Sequence, residues 1–213
     1  MATMKDGILG GLSGKIGNVV GSTWRGKNVL RSAPSTSKKP ASKAQKKQRD
    51  KFKDVSAFLI PIKGILTKTF GAKVGVKSPY NFAMSYHMKE AVQQTPAGFQ
   101  LEYSKILIGK GSLCGLENPL VKTLPIHRLQ VSWDDNSTQG LAYPNDTFLI
   151  VAYAASLKSF QYAMEDSKRE TTQYTHNFEE SFYGETVHVW ATFYNAELAI
   201  AATSSYLGAF VIE

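Results

Sequence analysis

The chain has 213 residues, 43% of them hydrophobic, with a formal net charge of +8. That length suits one large domain or two small ones, and the apolar content supports a packed core and excludes a wholly disordered chain. The charge is polarised: residues 1–77 hold 17 Lys/Arg against 3 Asp/Glu (net +14), and residues 78–213 hold 8 against 14 (net −6). Such a chain attracts another copy of itself head to tail, and its basic end equally suits a nucleic acid.

Cys114 is the only cysteine, so stability must come from packing, and its apolar context (Leu113, Leu116) reads as a buried, inert thiol. The first 21 residues lack the uninterrupted apolar stretch of a secretory signal. No run approaches the roughly 18 apolar residues of a spanning helix.

Residues 7–21 (GILGGLSGKIGNVVG) carry glycine at six positions. Glycine disfavours an isolated helix and lets another backbone approach closely. Lys15–Trp24 and Asn28–Arg31 read as strands joined by a turn at Arg25-Gly26-Lys27. An isolated hairpin is marginal in water, so Ile16, Val19, Val20, Trp24, Val29 and Leu30 need a surface supplied by either the rest of this chain or a neighbouring copy.

Residues 32–47 (SAPSTSKKPASKAQKK) have linker composition. Ser42 is placed to cap a helix in which Phe52, Val55, Leu59, Ile62, Leu66 and Phe70 recur at spacings of three and four, one apolar face. Pro61 kinks or restarts this helix and Gly71 ends it. Ser78-Pro79 signals another start, with a helix reaching about Val92. After Pro96 come seven runs rich in β-branched and aromatic residues: 99–108, 128–133, 147–154, 159–164, 171–176, 187–195 and 204–212. This texture predicts a mainly β fold, an antiparallel β-sandwich over 96–213, preceded by a helical segment over 41–95 and a Gly-rich hairpin arm with its linker over 1–40.

The sequence LQVSW, then FLIVAYA, VHVWATFYNAE and ATSSYLG resembles a fibronectin type III or immunoglobulin-like module over roughly 99–213, with Trp133 as a core residue. The opening GGLSGKIGNVVGSTWRGKNVLRS resembles that of a bacterial family known only as a domain of unknown function. That resemblance implies a β-rich C-terminal part and brings no catalytic residues with it.

Several candidate sites resolve into plainer readings. Gly21 to Asn28 (GSTWRGKN) approaches a phosphate-binding loop, but Asn28 stands where a hydroxyl is required and Trp24 fills the loop, so a hairpin turn is expected. His87, His127, His176 and His188 have no partner at metal-ligand spacing. No nucleophile-elbow sequence is present. The pairs Asp134-Asp135 and Glu179-Glu180 read as a solvated rim, and the acceptor patterns at Asn136 and Asn145 as chance. No catalytic residue, cofactor or metal is expected.

Three function classes remain. The first is self-assembly, with residues 7–33 of one subunit adding a strand to a neighbour; Tyr206 and Phe210, in the C-terminal strand, mark the accepting edge. A contact between unlike surfaces propagates into a ring or an open filament. The rival within that class has the arm fold back on its own sandwich. The second is a polyanion-binding module using Lys38, Lys39, Lys43, Lys46, Lys47 and Arg49. The third is a surface adhesin. The sequence fixes no cellular location; a surface fibre or virion part is compatible with it.

Overall fold

In a computed structural model, the protein divides into two compact units, Met1–Lys46 and Lys47–Glu213. All residues are described except 1–2, 5–10, 25, 36–39, 73, 76 and 97, and the side chains of 3, 4, 165 and 166 are also left out.

The first unit is an antiparallel sheet in the order β1 (Thr3–Met4), β2 (Leu12–Ile16), β3 (Val19–Trp24), β4 (Lys27–Ser32). Where one strand was expected over Lys15–Trp24, the chain turns at Gly17-Asn18 and pairs Ile16 with Val19. Gly17, at φ +54, permits that reversal. The β3–β4 hairpin is as expected, with Trp24 opposite Lys27. Gly21 is required for packing: a Cβ there would meet the Leu12 carbonyl oxygen well inside contact distance.

Helix α1 (Lys43–Leu59) starts in the last residues of the first unit and runs on into the second, and its start is a reciprocal capping box. The Gln45 N–H donates to Ser42 Oγ (3.3 Å) and the Ser42 N–H donates to Gln45 Oε1 (3.1 Å), satisfying two otherwise orphaned donors. Pro61 separates α1 from α2 (Lys63–Thr69), and Gly71 follows α2 at φ +73. Helix α3 (Pro79–Glu90) starts at Ser78, whose Oγ accepts from Asn81 N–H. Val55, Leu59, Ile62, Leu66 and Phe70 are buried as the periodicity demands, whereas Phe52 is exposed.

Two expectations fail between residues 91 and 108. Helix α3 stops before Val92, which opens a short hairpin, β5 (Val92–Thr95) with β6 (Gly98–Leu101). The run 99–108 is a strand only at its start, followed by one 3-10 turn at Tyr103–Lys105. Side chains there replace a ladder as backbone partners. Trp190 Nε1 donates to Tyr103 O (3.1 Å), Thr69 Oγ1 to Ile108 O (2.6 Å), and Ile108 N to Ser204 Oγ (2.9 Å).

The rest is a sandwich. One sheet runs β11 (Gln173–Asn177), β8 (Arg128–Asp134), β7 (Glu117–Leu124); the other runs β10 (Ser159–Lys168), β9 (Thr147–Ala154), β12 (Thr186–Asn195), with β14 (Ser205–Val211) and the short β13 (Ile200–Ala201) both on β12. The chain switches sheets between β8 and β9, β10 and β11, and β11 and β12, a Greek-key pattern. Strand β9 is buried at every position. Its Phe148, Ile150, Ala152 and Ala154 face the smaller sheet, with Trp133, while Leu149, Val151 and Tyr153 pack with α1 and α2. The helical segment is therefore a third layer on the larger sheet, which explains why FLIVAYA shows no polar alternation.

Candidate assembly surfaces

Register places the predicted arm residues on two faces. Cross-strand partners share a face; the pairs are Ile16–Val19, Gly14–Gly21, Gly21–Leu30 and Val19–Ser32. One face therefore carries Ile16, Val19 and Leu30 with glycine, serine and threonine, and no charge. Leu30 is 65% exposed, Ile16 54% and Val19 42%. The other face joins Val20, Val29 and Trp24 with Lys15, Lys27 and Arg31. At one end Thr23 Oγ1 donates to Asn28 Oδ1 (3.2 Å), and the Asn28 amide lies where a Cβ on Gly11 would sit. Within the Gly21 to Asn28 segment, β3 runs to Trp24 and β4 starts at Lys27, the hairpin reading of its loop-like spelling; Arg25 lies outside the described residues.

On the second unit, β14 pairs only with β12 and β7 only with β8 among the described strands, so both are edges on one side of the sandwich. The opposite side is stitched: Gln161 Nε2 donates to Asn177 O (2.9 Å) and Glu179 N–H to Gln161 Oε1 (3.1 Å). Between the β7–β8 turn and β14 lies a groove of about 720 Å3, lined among others by Leu124, Pro125, Ile126, Phe210 and Val211. Phe210 is one of the two residues expected at the accepting edge. The other, Tyr206, faces the helical layer instead: its hydroxyl lies 2.8 Å from His188 Nδ1, and its ring is 5.6 Å from Trp190. The bulge at Leu207 between the two places them on different faces.

Of the basic residues, Lys43, Lys46, Lys47 and Arg49 lie exposed on α1, and Lys38 and Lys39 fall outside the described residues. Lys47 and Lys51 each place their ammonium 5.6 Å from the centre of the Phe99 ring.

Sequence reasoning missed two features. One is a buried ion pair, Arg169 with Asp146 (3.0 Å), both side chains fully buried. Arg169 also donates to Cys114 O (2.8 Å), Gly115 O (3.4 Å) and Asn136 Oδ1; Asn136 is thereby committed inside the fold. Asp146 Oδ1 accepts from Asn195 (2.8 Å) and Oδ2 from Tyr143 N–H (2.9 Å). The other is the turn at Ile126-His127, where both residues have positive φ (64° and 54°). No glycine or asparagine announces it. Among the histidines, His87 is wholly buried; Leu107 N–H donates to its Nε2 (3.3 Å), so the ring is neutral, with its proton on Nδ1 directed to Ala83 O (2.7 Å). Burial pushes this imidazole below its ordinary pKa. Among the described residues no three His, Cys, Asp or Glu side chains gather as a metal site, and no helix is long and apolar enough to cross a membrane.

Together these features define a mainly β, antiparallel sandwich protein with a helical outer layer and a separate N-terminal β-arm. Residues 11–208 match the model of a family of unknown function (DUF6266), and the chain belongs to that family. No curated protein matches it. Among solved structures it is similar to an fn3 domain of human collagen alpha-1(XX) (15% identity, 49% of this chain and 89% of that one, TM-score 0.36). It is also similar to the FN1-FN3 domains of chicken CNTN1 (14%, 48% and 33%, 0.37) and to the FN5 domain of Drosophila Lar (9%, 45% and 90%, 0.32).

Proposed function

We propose that this protein is a non-enzymatic structural subunit, whose N-terminal arm docks on an adjacent copy by strand addition and joins chains head to tail into a polymer. The observation that carries the reading is the arm's uncharged face, a paired sheet whose Ile16, Val19 and Leu30 remain largely open to solvent. Strand β4 lies at the edge of that sheet, where it offers unpaired backbone groups to a partner.

Magnitudes decide how the arm must dock. Fully burying one such aliphatic side chain contributes about 1.5–3 kcal/mol, so covering the exposed halves of three gives roughly 3–4 kcal/mol. Association itself costs at least about 4 kcal/mol. Covering one face is therefore insufficient. Insertion of β4 into a groove adds main-chain hydrogen bonds, at roughly 0.5–1.5 kcal/mol each, and the burial of Val29 and Trp24 on the second face. Charge favours the contact: Met1–Lys46 holds 9 Lys/Arg against 1 Asp/Glu, while residues 96–213 hold 7 against 13.

The test is sedimentation and negative-stain microscopy of the full chain beside its Leu30→Asp variant. Polymers formed by the parent and lost in the variant, with thermal stability of the second unit unchanged, support the proposal. A parent that stays strictly monomeric at high concentration refutes it.

A second reading, a polyanion-binding module, is favoured by the exposed cations Lys43, Lys46, Lys47 and Arg49 on one helix. Gel shifts across a salt series decide it: such binding weakens steeply with salt, and none at low ionic strength ends it.

A further inference from the structure

We infer that the receiving site for the arm of a second copy is the groove between the β7–β8 turn and β14, with Ile126 as its grip. This rests on the strand-addition reading and specifies where the added strand goes.

The turn shows why. Leu124 pairs with Arg128, closing a loop of Pro125, Ile126 and His127. A common three-residue hairpin loop needs a single left-handed residue, usually glycine. This loop takes two, and neither is glycine. A β-branched residue with φ above zero is an outlier under strain, and strain of this kind persists where function holds it. The strained residue is also 76% exposed, the highest value among the large apolar side chains of the described residues. A folding constraint alone would favour glycine or asparagine at such a tip. An isoleucine held out beside a groove that is also lined by Leu124, Phe210 and Val211 suits a contact with protein.

The neighbourhood selects the occupant. Phe178 N–H donates to His127 O (3.1 Å), and Ile212 N–H to Glu185 O (3.1 Å), which brings the loop carrying Glu179, Glu180 and Glu185 beside the turn. Glu213 lines the groove itself. The cation of the lining, Arg128, is tied to the loop through Nε to Pro125 O (3.1 Å). A groove that sets Leu124, Pro125, Ile126, Phe210 and Val211 beside Glu213, with further glutamates on the neighbouring loop, matches a strand that carries Leu30 on one face and Lys27 and Arg31 on the other. Strand β4 of another copy has that composition.

Two full-length measurements test the site. Ile126→Gly removes the grip and relieves the strain together. The expected result is a melting temperature raised by roughly 2–4 °C and assembly weakened about tenfold or more. A purely structural role for Ile126 moves both in the same direction. The second measurement uses chains carrying Cys114→Ser, one with Leu30→Cys and the other with Val211→Cys, mixed and oxidised. A disulfide between the two chains is expected. Polymers that form normally from Ile126→Gly chains, with no cross-link in the mixed pair, overturn this site and leave strand addition standing. A parent chain that does not assemble overturns both.

Discussion

Replacing Arg169 by methionine should be among the most damaging single changes in the protein, and removing its partner as well should undo much of the damage. The guanidinium is fully buried and makes five contacts to four acceptors: Asp146 Oδ2 through both Nε and Nη2 (3.0 Å each), Cys114 O, Gly115 O and Asn136 Oδ1. Its carbon also lies 3.9 Å from the centre of the Phe193 ring. Arg169→Met leaves the Asp146 carboxylate buried with only Tyr143 N–H and the Asn195 amide as donors. Breaking a buried pair in this way costs about 3–5 kcal/mol, because a charge stays behind uncompensated. In a unit of this size 1 kcal/mol corresponds to roughly 2–4 °C, so the loss is on the order of 10 °C in melting temperature. Asp146→Leu alone should cost a similar amount. The double variant should lie no lower than either single one, since the pair's favourable attraction is largely offset by desolvation. Differential scanning calorimetry of the four proteins measures the cycle. Strictly additive losses, or a single-variant cost below about 1 kcal/mol, would refute the view that Arg169 and Asp146 act as one coupled, buried pair.

Two further predictions follow from single sites. His87 is neutral in the fold and burial lowers its pKa, so the unfolded chain takes up the proton first as pH falls. Its contribution is therefore complete above the unfolded value of about 6.5 and declines below it, at up to roughly 1.4 kcal/mol per pH unit, until the folded value is reached. Urea midpoints measured downward from neutral pH should show this slope, and His87→Leu should flatten it; an unchanged slope in the variant sinks the assignment. In the arm, Gly21→Ala forces a Cβ against the Leu12 carbonyl oxygen. Amide exchange in β2 and β3 should then accelerate while protection in β9 and β12 is untouched, and equal protection of the arm in both proteins contradicts the packing.

The fold was legible where a strand or helix has a periodicity of its own. Strands β8, β9, β12 and β14 lie close to their predicted spans, and the capping residues Ser42 and Ser78 open their helices. Strand β7 was missed because Asn118-Pro119 reads as a turn; Asn118 has φ +45, and proline is tolerated there because β7 is an edge. The segment 102–108 misled for the opposite reason: its apolar residues are buried, yet its backbone is satisfied by side chains from Thr69, His87 and Ser204, distant in sequence. The arm's apolar residues were visible as a set, but their division into a charge-free face and a basic face depends on register, which the turn at Gly17-Asn18 sets. Tyr206 and Phe210, four residues apart in one predicted strand, share a face on sequence spacing alone, and the bulge between them sends them to different layers. The left-handed turn at Ile126 and the buried pair of Arg169 and Asp146 carry no local signal, since each lies where segments distant in sequence meet.

The layering also limits how a partner can bind. Both faces of the larger sheet are occupied, one by the helices and one by the smaller sheet. The outer face of the smaller sheet is polar, with Gln130 bonded to Gln173 across β8 and β11 (3.4 Å). Within the sandwich, the large apolar side chains that remain exposed include Leu120, Ile126, Leu157, Leu198 and Val211, all at turns or on edge strands. A flat protein surface laid on this body would meet polar groups and gain little. A strand entering at the β7/β14 edge meets apolar contact and, at the same time, backbone groups without a ladder partner. The arm has the complementary character: an edge strand, exposed side chains on both faces, and cations on one of them. Under the proposed strand addition, each unit would be covered by the other on a second copy, and repetition of that asymmetric contact would extend the chain of subunits without closing it at two.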